Sequence, residues 1–106
     1  MPTILVIERH ATQDCAMNSK ERRKIAFEAF SQLEELAKKH GVKLVGSWGV
    51  SSEHLNVNVF DAPSLEAFQE LSREPVWTRW TNYTTSEIKV AKPFEEILQL
   101  LKQDLE

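Results

Sequence analysis

His54-Leu55-Asn56-Val57-Asn58-Val59 alternates between polar and apolar side chains at every step. A two-residue period puts successive side chains on opposite faces of a strand. Leu55, Val57 and Val59 therefore share one face, and His54, Asn56 and Asn58 share the other. The apolar row is the one expected to pack beneath covering helices. Solvated strands usually present Lys, Glu, Thr or Ser. An imidazole and two amides in a row are hydrogen-bonding groups suited to the lining of a cavity.

Working outward, Ser51-Ser52-Glu53 has room only for a turn, so the strand before it, about residues 42–50, pairs antiparallel with the strand at 54–61. Upstream, residues 19–40 read as a helix with an apolar stripe of Ile25, Ala26, Ala29, Phe30, Leu33, Leu36 and Ala37. Asn18 stands in the N-cap position with Glu21 three residues on, and Gly41 ends the helix. Residues 3–10 form the first strand, and residues 11–18 form a loop. Downstream, Ala62-Pro63-Ser64 opens a second helix that ends at Glu74-Pro75, and Pro75 begins a further turn carrying Trp77 and Trp80. A fourth strand spans about 83–90. Pro93 starts a last helix striped by Phe94, Ile97, Leu98, Leu101 and Leu105.

The order β-α-β-β-α-β plus a terminal helix is the ferredoxin-like α+β arrangement, in one domain over residues 1–106. Right-handed crossovers give an antiparallel sheet in the order 4-1-3-2. Strands one and three are then antiparallel neighbours, which brings His10 beside His54.

Bulk properties narrow the function classes. The 106 residues are 42% hydrophobic and 27% charged, the balance of a globular domain. A net charge of −3 lacks the basic footprint of a nucleic-acid binder. No apolar run approaches the roughly 20 residues of a membrane span. Ile4-Leu5-Val6-Ile7 leads straight into Glu8-Arg9-His10, so no secretory leader is expected. The single Cys15 excludes an internal disulfide and fits a reducing, cytoplasmic setting.

Thr3–His10, Gly41–Trp48 and Val57–Phe68 together resemble the dimeric α+β barrel superfamily. The likeness covers nearly the whole chain and is strongest to small single-domain members without an assigned activity. The resemblance implies a homodimer in which two sheets pack face to face, each with a ligand pocket. Its relatives include monooxygenases of small aromatic compounds, lactone isomerases and haem-handling enzymes, and no catalytic motif of theirs is present. Dimerisation also follows from physics, because two helices cover only one sheet face and leave large apolar side chains on the other.

Parity groups Val6, Glu8 and His10 with His54, Asn56, Asn58 and Phe60, with Trp48 as a candidate wall and Thr85, Glu87 and Lys89 as candidates on the fourth strand. This row is expected to look into an inter-sheet pocket for a hydrophobic or aromatic small molecule. His10 and His54 are the candidate catalytic pair, a general base and a polarising donor. Glu8, Asn56 and Asn58 would orient the imidazoles or the ligand, and Trp48 and Phe60 would form walls. Trp77, Trp80 and Tyr83 belong either to the pocket mouth or to a packed corner.

Two other readings stand beside this one. His10, Cys15 and His54 form a donor set for zinc or copper, with Asp14 or Glu53 as a fourth ligand. Alternatively, the sheet serves assembly only. No cofactor is required by the sequence.

Overall fold

The computed structural model describes residues 2–103 and Leu105. Its strands are β1 (Thr3–Arg9), β2 (Lys43–Val50), β3 (Leu55–Asp61) and β4 (Thr85–Ala91), and its helices are α1 (Lys20–Lys39), α2 (Leu65–Ser72), α3 (Pro75–Thr81) and α4 (Phe94–Gln103). The sheet order is β2-β3-β1-β4, all neighbours antiparallel, as the chain order implies. The turn begun by Pro75 is a full helix, α3. Among the described residues no helix is long and apolar enough to cross a membrane.

Helix α1 begins one residue later than the sequence suggests. Ser19 is the cap, and its hydroxyl accepts from the Arg22 N–H at 3.3 Å. Asn18 instead donates to the Thr12 carbonyl at 2.8 Å, closing the loop on itself. Ser19→Ala should cost about 1 kcal/mol in thermal or denaturant unfolding. Asn18→Ala should leave the helix cap intact and lower stability by less.

The sheet face that packs on the helices is the opposite of the one expected. Ile4, Val6, Glu8, Asn58 and Phe60 are buried, together with Ala29, Leu33, Ala37, Phe68, Leu71, Trp77 and Trp80 from the helices. Leu55, Val57 and Val59 lie on the other face and are only half-buried. Strand parity groups side chains without saying which group the helices cover. Here α1 and α3 supply aromatic edges and an indole N–H, which suit a mixed polar and apolar face better than a purely aliphatic one.

Strand β4 follows the same registry. Ser86, Ile88 and Val90 align with Glu8, Val6 and Ile4, so Thr85, Glu87 and Lys89 belong to the outer face. There Glu87 pairs with Arg9.

A bulge between Leu44 and Gly46 flips the parity of β2. Trp48 consequently pairs with Val57 on the outer face and is 56% exposed. A Cβ on Gly46 would come within 2.6 Å of the Trp48 ring, so glycine there lets the indole lie back along its own strand.

Among the described residues no helix is packed over the outer face. Leu5, Ile7, Val57 and Val59 line it. Helix α4 has no buried residue, and Phe94, Leu98 and Leu101 are each more than half exposed. The radius of gyration, 15.9 Å, exceeds the roughly 13 Å of a compact 100-residue domain.

Candidate functional site

Strand β1 hands its polar residues to the covered face at its C-terminal end, where β3 begins. Glu8 aligns with Asn56, one step from Asn58 across the ladder. Asn58 Nδ2 donates to Glu8 Oε1 at 2.9 Å, and Trp80 Nε1 donates to the same oxygen at 3.4 Å. Burial pushes the Glu8 carboxyl up to about 7, and the two hydrogen bonds only partly offset it. Glu8 does not hydrogen-bond to either imidazole, so it orients an amide and an indole rather than a histidine.

His10 and His54 meet at the rim. The His10 backbone N–H donates to the His54 carbonyl at 3.1 Å, and the rings stand edge to face with centroids 5.3 Å apart. His10 also lies edge-on to Trp80, at 6.2 Å. Burial, and then the neighbouring His54, hold the His10 pKa below its usual value, against a weaker pull from Asp14. His54 occupies the left-handed region, with φ 51° and ψ 45°, at the end of the Ser51–Glu53 turn. A non-glycine residue there carries local strain of about 1 kcal/mol or more, a cost that clusters at functional positions.

Cys15 reaches the same place from the loop between β1 and α1. Two consecutive single-turn helices, Thr12–Asp14 and Ala16–Asn18, set it at their junction. The loop is tied to α1 by Arg22, which pairs with Asp14 at 3.2 Å and donates to the Gln13 carbonyl at 3.1 Å. Arg22 also lies over the Tyr83 ring at 4.8 Å, so Tyr83 belongs to this packed corner. Donor atoms of His10, Cys15 and His54 all lie within 4.8 Å of one another. Asp14 and Glu53 do not join them: Asp14 is engaged by Arg22, and Glu53 sits on the exposed turn.

These groups border a cavity of about 370 Å³ between the sheet and the helices of one protomer, not between two sheets. Its apolar lining includes Ala26, Phe30 and Trp80, and its polar lining includes His10, His54 and Asn56. Phe30 is braced edge-on by Trp77 at 5.1 Å and Trp80 at 5.4 Å. Of the expected wall residues, Phe60 is instead core, 5.4 Å from Phe68, and Trp48 is on the far face. Asn58 is bound to Glu8 in the buried layer. Phe30 and Ala26 were visible in the sequence only as helix stripe. The signal that would have found them is the crossover geometry, which lays α1 over β1 and β3.

Comparison with solved structures agrees with this topology. A crystal structure of an antibiotic biosynthesis monooxygenase superposes with a TM-score of 0.58 at 10% identity, covering 88% of this chain and 98% of that one. A NIPSNAP domain protein from Burkholderia xenovorans gives 0.60 at 13% identity, covering 88% and 94%. The chain has the ferredoxin-like α+β fold. A NIPSNAP family protein from Agrobacterium tumefaciens gives 0.54 at 15% identity, covering 88% and 93%. These likenesses show the ferredoxin-like fold, and identities this low carry nothing further. No protein-family model and no curated protein matches the chain.

Proposed function

We propose that this chain is a small-molecule-binding protein whose ligand, a hydrophobic or aromatic metabolite, enters the cavity beneath α1 and α3. The observation that supports this most directly is the cavity's make-up. About 370 Å³ is enough for a small ring compound, and the lining joins apolar side chains, Phe30 and Trp80 among them, to polar ones that include His10, His54 and Asn56. Phe30 and Trp80 would stack on the ligand, Asn56 would orient it, and His10 and His54 would act on its polar end.

A second copy of the chain would cover the outer sheet face and α4. The exposed apolar residues on both, and the extended dimensions of the single chain, support this pairing.

The test uses Trp80 as reporter. Small aromatic acids and phenols should quench or shift tryptophan fluorescence saturably. Ala26→Phe fills the cavity from α1 without removing a polar group, and it should weaken binding at least about tenfold, the effect of about 1.4 kcal/mol. Binding that is unaffected by Ala26→Phe would place the ligand elsewhere and end this reading.

A further inference from the structure

We infer that His10, Cys15 and His54 form a zinc site at the rim of the cavity, with an open coordination position toward the ligand space. The three side chains come from separate parts of the chain: the end of β1, the junction of two short helical turns, and the left-handed residue before β3. Their donor atoms nevertheless lie within 4.8 Å of one another. Tetrahedral zinc with bonds of about 2.0–2.3 Å needs its donors about 3.3–3.6 Å apart, so small rotations of the rings and thiol suffice.

Two further observations favour a metal over a packed corner. Both ring nitrogens of His10 and Nδ1 of His54 are shielded from solvent and have no hydrogen-bond partner among the described residues. Polar atoms so placed are uncommon in native proteins and call for an explanation, of which a bound ion is one. His54 also takes a left-handed backbone, uncommon for a non-glycine residue, and in this conformation its ring stands beside His10.

Thiolate and imidazole are donors for borderline-soft cations, which separates zinc from magnesium and calcium. Three protein ligands leave a fourth position for water or substrate, as in catalytic rather than structural zinc centres. The cavity is lined by all three donors, so that position opens where the organic ligand would sit. The inference does not depend on which organic ligand the cavity takes.

The experiment uses the whole chain, free of any affinity tag, stripped with chelator and titrated with Zn²⁺ alone. One equivalent per chain should bind, unaffected by excess Mg²⁺. Cys15→Ser and His10→Ala should each weaken binding by about 100-fold or more. His54→Asn, which keeps the backbone conformation, should do the same. Circular dichroism checks that each variant is folded. Two readouts need no variant. Co²⁺ in place of zinc should give a thiolate-to-cobalt charge-transfer band in the near ultraviolet. Zn²⁺ should slow alkylation of Cys15, the sole cysteine, by about tenfold or more. Absence of stoichiometric uptake, equal competition by Mg²⁺, or a cobalt complex without thiolate character would overturn the inference. None of these results would bear on whether aromatic ligands bind.

Discussion

Glu8→Gln should make the chelator-treated protein more stable above pH 7 and leave it nearly unchanged below pH 4.5. Glu8 is fully buried, and its carboxyl is raised from 4.5 to about 7. A carboxyl with a raised folded-state pKa contributes its full stability below the unfolded value. That contribution is lost as pH climbs through the folded value. The loss therefore falls between pH 4.5 and about 7 and levels off above. At about 1.4 kcal/mol per pH unit across that window, the difference reaches about 3 kcal/mol. Glutamine keeps a carbonyl oxygen for the Asn58 and Trp80 donors and carries no charge to desolvate.

Urea unfolding of both proteins from pH 4 to 8.5, at equal concentration, is the measurement. His10 contributes a slope of opposite sign. Its pKa is lowered, so its stability is present above the unfolded histidine pKa and is lost as pH falls. That contribution is common to both proteins and cancels in the difference. A glutamine variant less stable than the parent at pH 8 would mean that the ionised carboxylate is better solvated inside than its burial implies.

The same carboxyl shows how far the sequence could be read. Alternation in β1 and β3 correctly grouped Glu8 and His10 with Asn56 and Asn58, and chain order placed His10 beside His54. Neither could say which face the helices cover. On hydropathy Val57 belongs inside before Asn58. The outcome turns on long-range partners: Asn58 donates to one Glu8 oxygen, and Trp80, 72 residues from Glu8, supplies that oxygen with a second donor, while Glu8 Oε2 and Asn58 Oδ1 stay unpaired among the described residues. Such compensation makes a buried polar pair tolerable and is invisible to any local window. Trp48 was lost for a different reason. One extra residue at the bulge reverses every side chain beyond it, and Gly46, the kind of strand glycine that often marks a bulge, does not by itself fix the new parity. Ser19 and Asn18 are both competent caps, and one residue decides between them. Cys15 joined the histidines because Arg22 pins the loop, a contact that the spacing from His10 to Cys15 does not encode.

With polar residues assigned to the helix side, the outer face becomes the more apolar one, and the second large prediction concerns it. Val57→Asp should convert the proposed homodimer into a folded monomer. Val57 sits at the centre of the open face, between Ile7 on β1 and Trp48 on β2. In a single chain it is partly exposed, so a carboxylate there keeps some contact with water and the fold should tolerate it. Between two packed sheets the same charge would be desolvated without a partner, a penalty of several kcal/mol. The dissociation constant should rise by about 100-fold or more, corresponding to about 2.7 kcal/mol. Trp48→Ala should act in the same direction through lost aromatic contact, because large aromatics dominate such interfaces. Sedimentation velocity across a concentration series reads both variants. The cavity lies on the other side of the sheet, so the Val57→Asp monomer should still take up zinc and bind aromatic ligands with the parent's affinities. A parent chain that sediments as a monomer at all concentrations would remove the pairing. A Val57→Asp monomer that has lost its zinc site would show instead that the second copy holds the rim residues in place.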